Sequence, residues 1–336
     1  MKREAWPRGQ GFRKLHASRF TLCEICASRS PRHELEFIGP MHDLLHSMQW
    51  VEGLRSVYLT PVFQLLSGLG GSAFLLLFLV FGFLAIHKVV FARAIAIVLV
   101  SAIINDWLKQ YFQDPRPPQA LWLDSSITDT FGFPSGHTQV AVVLWLWLAY
   151  HVRQRWGALL LTVLAFGISI SRLYLGVHDV EDVVGGATIG FAILAVFIFW
   201  SAERLSSVRE RYSRLPLIGA AVLTLACLVT WPGGDLRTPL VLGGLLCAFW
   251  TGYRVESKSI SFQSGDTARS GLAGIVGVIG MFAAIALLAK LRQGPAIQVV
   301  PAVFLIGLYI SLLAPMLMVR LGLLKREGRP NNESSV

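Results

Sequence analysis

The chain has 336 residues, of which 54% are hydrophobic and 15% charged, with a mean hydropathy of +0.57. Soluble domains carry about 25% charged residues, so this composition excludes an ordinary soluble globule. The net charge of +10, from 30 Lys and Arg against 20 Asp and Glu, would suggest nucleic acid in a soluble protein, and here its distribution along the chain decides its meaning.

In chain order, residues 1–40 hold eight basic and four acidic residues, no apolar run and no secretory signal pattern. Residues 1–50 are read as a basic extension of undefined role, with Met41 as an alternative start. The stretch 51–68 is a poor span because of Arg55, Pro61 and its glycines. Leu54, Tyr58, Phe63 and Leu66 recur at helical spacing, so an amphipathic helix lying in the interface is expected there, the alternative being an additional crossing. Nine apolar blocks follow, at 70–88, 91–109, 136–152, 157–176, 183–201, 215–231, 238–252, 270–290 and 298–319, the seventh being the shortest. Lipid offers no partner for a free backbone group, so each block is expected to be a helix. The fold class is therefore all-α, a polytopic helical membrane protein of about nine transmembrane helices. Its expected organisation is a core over 51–201, a polar link around 201–214, a four-span extension over 215–319 and a basic tail over 320–336.

Alternate loops separate the charges. One side collects Lys88, Arg93, Arg153, Arg155, Arg204, Arg209, Arg211, Arg214, Arg254, Lys258, Arg269, Arg320, Lys325, Arg326 and Arg329. From residue 41 onward the other has Arg55, Arg237, Lys290 and Arg292, besides Lys109, Arg116 and Arg172. This asymmetry assigns the first group to the cytoplasm.

Ionisable residues at membrane depth are costly and mark function by default. Three clusters qualify: Lys109 to Pro117, Phe133 to His137, and Ser171 to Asp182, all at the outer ends of the expected helices. Lys109, Arg116 and Arg172 are cations suited to a phosphoryl group, the guanidinium forks matching phosphate oxygens. Ser135 and Gly136 open an expected helix, where free N–H groups and the helix dipole favour an anion. His178 and Asp182 are four residues apart, so a helix that begins early enough puts them on one face. The carboxylate then holds one ring nitrogen protonated and leaves the other as a nucleophile. His137, just past the anion-binding turn, is placed to protonate a leaving oxygen. Transfer of a phosphoryl group to His178 and hydrolysis of the phosphohistidine need no metal in this scheme, because the three basic side chains neutralise the developing charge.

Lys109 followed after six residues by Arg116-Pro117, then Pro134-Ser135-Gly136-His137, then Ser171-Arg172 with His178 and Asp182, resembles the three-part signature of the type 2 phosphatidic acid phosphatase superfamily, or lipid phosphate phosphatases. The resemblance covers about 75 residues directly and roughly 70–200 as a core, as in a bacterial membrane-bound member. It implies a metal- and cofactor-independent membrane phosphatase with His178 as nucleophile, Asp182 orienting it and His137 as general acid. Lys109, Arg116, Ser135, Gly136 and Arg172 would hold the phosphate. The family core usually has six spans. Here 51–68 stands where the first is expected, and four C-terminal spans are additional. The implied partners are the bilayer and a lipid phosphate or diphosphate, not nucleic acid. An outward-facing site in a plasma (inner) membrane makes undecaprenyl diphosphate the first candidate, with phosphatidate, phosphatidylglycerophosphate, sphingoid-base phosphate and lipid A phosphate behind it. Phosphotransfer to a lipid or sugar hydroxyl, or lipid transport with a vestigial site, are the alternatives.

Other residues invite plainer readings. Asn105 and Asp106 are either partners of the site or helix–helix contacts, and Asp179 and Glu181 are read as solvent-side charges. Cys23 and Cys26, with His16 and His33, form an incidental CxxC, and Cys227 and Cys247 are small core residues. Trp107, Trp122, Trp145 and Trp147 fit interfacial belts or packing.

Overall fold

The computed structural model describes residues 48–125, 127, 131–201, 215–264, 268–291 and 296–326. The basic extension as far as residue 47, with Cys23 and Cys26, the link over 202–214 and the tail from 327 lie outside the described residues.

Nearly every described element is a helix. A short 3-10 turn, Gln49–Leu54, precedes α1 (Leu59–Leu69), so the expected amphipathic helix starts eight residues later than 51. Pro61 sits in its first turn, where an amide proton has no intrahelical partner to lose. Gly70 and Gly71 separate α1 from α2 (Ser72–Phe81), which runs on through a π turn, Gly82–Ile86. The two arms are bent by 55°, as a broken span or a re-entrant loop.

The centre of the bundle is α3 (Lys88–Phe112) with α4 (Gly136–His151). The α3 helix starts where the His87 ring accepts the Val90 N–H at 3.4 Å and stops at Gln113, whose φ of 51° is left-handed. Its buried residues, Phe91 to Lys109, fall on every face, as does the burial along α4. Around them stand α5 (Arg155–Tyr174) and α6 (Val180–Ser201), which expose Leu160, Val163, Phe166, Val196 and Phe199 as lipid-facing surface. Then come α7 (Leu215–Val229), α8 (Arg237–Ser259), α9 (Ala268–Leu291) and a final helix broken by a π turn at Tyr309–Leu313 into α10 (Ala296–Leu308) and α11 (Ala314–Arg320). Phe262–Gln263 and Lys325–Arg326 pair as a two-residue antiparallel ribbon.

Each of the nine expected blocks lies on a helix. Among the described residues five helices are long and apolar enough to cross a membrane, or six if the bent pair is one span. The remaining blocks form shorter or less uniformly apolar helices, among them α4 of 16 residues and α7 of 15. One apolar cluster continues from Leu75 on α2 to Leu324, and α8 packs on both α3 and α10. Trp145 and Trp147 belong to it, which makes them packing residues, and Trp147 Nε1 donates to the Val90 carbonyl at 3.1 Å.

Two contacts bring the three motifs to one end. Gly186 of α6 lies against the start of α4 so closely that a Cβ would come within 2.6 Å of the Ser135 carbonyl oxygen. Gly176, in the α5–α6 turn, has a φ of +70°, and a Cβ there would collide with the Leu121 carbonyl. The loop from Gln113 is tied down at the same place. Leu123 N–H donates to the Leu175 carbonyl at 2.9 Å, and Tyr174 stacks on Phe63 with centroids 4.2 Å apart.

Candidate active site

His178 lies in the turn between α5 and α6, just before the helix begins at Val180. The helix does not start early enough to carry it, as the spacing argument requires, and the pairing with Asp182 forms by another route. Asp179 caps α6: its Oδ1 accepts the Asp182 N–H at 2.9 Å, while Asp182 Oδ2 accepts the Asp179 N–H at 3.3 Å. This reciprocal cap folds the turn back so that His178 Nδ1 lies 2.8 Å from Asp182 Oδ2. Asp179 is thus a buried capping residue, 3% exposed, and not the solvent-side charge that its sequence position suggests, whereas Glu181 is exposed.

The other ring nitrogen fixes the tautomer. Arg116 Nη1 lies 2.9 Å from His178 Nε2 and 2.7 Å from the Val177 carbonyl oxygen. A guanidinium only donates, so Nε2 accepts and the proton sits on Nδ1, facing the carboxylate. Burial, then the positive charges of Arg116, Lys109, Arg172 and His137, hold the His178 pKa well below the ordinary 6.5. The ring is neutral at neutral pH, with the Nε2 lone pair directed at the Arg116 guanidinium.

Lys109, from the last turn of α3, is buried and donates from Nζ to the Phe131 and Gly132 carbonyls at 2.5 and 3.0 Å. It closes the loop that carries Arg116. Arg172, 1% exposed, donates to Asp124 Oδ2 at 3.1 Å and to Ser67 Oγ on α1. Its carboxylate partner is therefore Asp124, and Asp182 serves His178.

The Ser135 N–H is already given to the Asp182 carbonyl at 2.9 Å, so it is not one of the free amides expected at the start of α4. Its hydroxyl is fully buried and has no hydrogen-bond partner among the described residues. An unpartnered buried hydroxyl is costly unless a ligand completes it. Gly136 and His137 form the first turn of α4 behind it, and a Cβ on Gly70 would approach the His137 ring to 3.2 Å. The bend between α1 and α2 therefore borders the site.

Asn105, which has two sequence readings, supports this turn. Its Nδ2 donates to the Pro134 carbonyl at 3.1 Å and to Gln139 Oε1 at 2.9 Å, and Gln139 Nε2 donates in turn to Ser101. Sequence reasoning misses Gln139, Ser67 and Asp124, since each lies outside the motif spacing and is recruited by helix packing or by the loop. Among the described residues no group of three or more His, Cys, Asp or Glu side chains is placed to hold a metal ion.

A family profile described as the PAP2 superfamily matches residues 90–206, and one described as PAP2 superfamily phosphatase, transmembrane extension, matches residues 240–327. The chain belongs to the PAP2 superfamily. It is accordingly a polytopic membrane enzyme, a phosphatase, whose matched core contains all three motifs. Phosphatidylglycerophosphatase B of Bacillus subtilis is 29% identical over 171 residues, 47% of this chain and 82% of that protein. Human sphingosine-1-phosphate phosphatase 2 is 30% identical over 194 residues, 55% of this chain and 48% of that protein, so the chain spans about half of that relative's length. The crystal structure of a transmembrane PAP2-type phosphatidylglycerolphosphate phosphatase from Bacillus subtilis is 26% identical, covering 46% of this chain and 81% of that one, with a TM-score of 0.41.

Proposed function

We propose that the enzyme hydrolyses the terminal phosphate of a lipid phosphate or diphosphate through a phosphohistidine on His178. The observation that carries this reading is the chain Arg116–His178–Asp182, with contacts of 2.9 and 2.8 Å on the two ring nitrogens. An incoming phosphoryl group takes over the Arg116 donor, which leaves phosphorus beside Nε2. The lone pair of Nε2 attacks phosphorus in line, the bond to the leaving oxygen breaks, and His137 gives that oxygen a proton. Water then attacks the phosphohistidine, returning a proton to His137 and the bonding pair to Nε2. Asp182 keeps the Nδ1 proton in place throughout. Lys109, Arg116, Arg172, the Ser135 hydroxyl and the amides around Gly136 bind the phosphoryl oxygens and stabilise the charge that develops on them.

Support for a lipid substrate comes from the membrane-embedded core and from two relatives whose names specify a phosphorylated glycerolipid and a phosphorylated sphingoid base. The charge asymmetry of the loops favours a site facing the periplasm or cell exterior of an inner membrane, and that side suits recycling of undecaprenyl diphosphate, which we rank first. The four helices after residue 215 are read as an extension of the catalytic core.

The test is a panel on detergent-purified full-length protein in EDTA: undecaprenyl diphosphate, phosphatidate, phosphatidylglycerophosphate and a sphingoid-base phosphate, each with and without an acceptor alcohol. Free phosphate released fastest from undecaprenyl diphosphate is the expected result. Dependence on added Mg²⁺ would overturn the phosphohistidine route, and phosphate appearing on the acceptor instead of in solution would make the enzyme a phosphotransferase.

A further inference from the structure

Far from His137 and His178, a crevice of about 450 Å³ opens between the phosphatase core and the extension, within the size range of small-molecule sites. Its lining along α3 runs from Val89 to Val100, a rise of about 16 Å, so the hollow is elongated along the helices. Arg93 in this lining and Lys109 in the active site are separated on α3 by about 24 Å. The crevice therefore lies outside the reach of a substrate phosphate held by His178.

Its two ends differ. One is apolar, formed by Ala96, Val100, Leu223 and Leu246; the end toward Lys88 brings in Arg93 and Tyr253. An adjoining hollow shares Pro216, Trp250 and Tyr253 and adds Arg254 and Lys258. Glu256, the acidic residue on this part of α8, is fully buried and held by Lys88 at 2.6 Å, so it does not offset those cations at the mouth. Next to the lining, Ile218 and Val222 of α7 are exposed apolar side chains, which in a bilayer face lipid.

We propose that this crevice binds one anionic glycerophospholipid of the surrounding bilayer. An acyl chain lies along the apolar groove, and the head-group phosphate meets Arg93, Arg254 and Lys258. The charge at one end decides the lipid class, since Arg and Lys at the membrane surface select anionic head groups. The length and apolarity of the groove decide that the ligand enters by its chain. The lipid would fill the seam between α3 and the α7–α8 pair, joining core to extension.

The experiment uses full-length protein reconstituted in nanodiscs of equal phosphatidylglycerol and phosphatidylcholine, with the lipid that survives release counted by native mass spectrometry. One retained phosphatidylglycerol per chain is expected. Gly219 lines the crevice, and a Cβ there meets nothing within 4 Å, so Gly219→Leu starts its side chain from open space and adds apolar volume to the groove. It should lower the retained lipid by about tenfold while phosphate release continues. Replacing Arg254 and Lys258 together by Gln should cut the preference for phosphatidylglycerol by about fivefold or more. No retained lipid, equal retention of phosphatidylcholine, or unchanged retention in Gly219→Leu would each overturn the proposal. If Gly219→Leu loses phosphate release and so reports misfolding, the Arg254 and Lys258 variant decides alone.

Discussion

The two ends of α3 each bury charge, and they do it differently. At the start of the helix Lys88 Nζ lies 2.6 Å from Glu256 Oε2, Glu256 Oε1 accepts the Phe262 N–H at 2.8 Å, and the ammonium sits 4.5 Å from the centre of the Phe262 ring. Here the buried carboxylate and the ammonium neutralise each other. At the other end Arg116 rests on a histidine nitrogen, Arg172 rests on a carboxylate from a loop, and the Ser135 hydroxyl has no partner among the described residues. These are contacts that a ligand can displace or complete. Buried charge in a membrane protein is therefore a weak sign of function by itself. The stronger sign is charge whose present partners are provisional and lie beside a neutral, oriented imidazole.

Breaking one group at each end should separate chemistry from stability. His178→Asn is expected to reduce kcat by at least about 10³-fold, since the proposed nucleophile is lost and the remaining groups of the proposed site only bind. Glu256→Gln should leave kcat/KM of the folded protein within about threefold but lower unfolding stability by about 3–5 kcal/mol, because Lys88 stays buried without its counter-charge. Phosphate-release kinetics and thermal melts in detergent read the two effects. Loss of kcat in Glu256→Gln with an unchanged melt would erase the distinction between the ends.

The same contrast shows in double replacements. Converting Lys88 and Glu256 together to Met should recover most of the lost stability, as a buried ion pair often exchanges for apolar residues at little cost. Arg172→Met should raise KM by roughly 10- to 100-fold through loss of a charge-assisted contact to phosphate, and adding Asp124→Leu should not restore it. Restoration by the second change would make Arg172–Asp124 a structural lock like its counterpart.

How much of this was legible follows the kind of contact involved. The helices were readable because a bilayer demands long apolar blocks, and the three motifs because their chemistry is carried by residues at fixed spacing. The cap that turns His178 onto Asp182 is half-readable: the four-residue spacing is visible in the sequence, but nothing there sets Asp179 apart from any other acid on a loop. Ser67, Asp124 and Gln139 were not readable, since serine, aspartate and glutamine at those positions say nothing until helix packing and loop closure bring them to Arg172 and Asn105. The bend at Gly70 and Gly71 was hidden for a different reason. Glycines weaken a helix but do not state the angle between its halves, which is set by what the two arms pack against.

A smaller effect is expected where a provisional contact is made weaker. Asp124 is 17% exposed and pairs with Arg172, so under the proposed mechanism phosphate displaces it. Asp124→Asn removes the competing charge and should tighten inhibition by inorganic phosphate about fivefold or less, the scale of a partly exposed ion pair. Weaker inhibition in that variant would mean that Asp124 holds Arg172 in its binding position instead of competing for it.

The subtlest test concerns the acid side of the pH profile. Burial is the largest cause of the lowered His178 pKa, and Arg116 is the largest among the charges that add to it. A pKa below 6.5 keeps the imidazole neutral through the neutral range, and activity falls only when pH drops far enough to protonate Nε2. The acid limb of kcat/KM, which reports the free enzyme, should therefore lie below the ordinary histidine value. Arg116→Gln removes one positive charge, so the imidazolium becomes easier to form and the limb of the residual activity should move to higher pH. His137→Gln should move it in the same direction by less, because His137 is the last and smallest of the causes. The second ionisation of the substrate phosphate, near pH 6, also shapes this limb, but it is common to all three enzymes and cancels in the comparison. A limb that moved downward in Arg116→Gln, or stayed fixed, would show that the group titrating there is not His178.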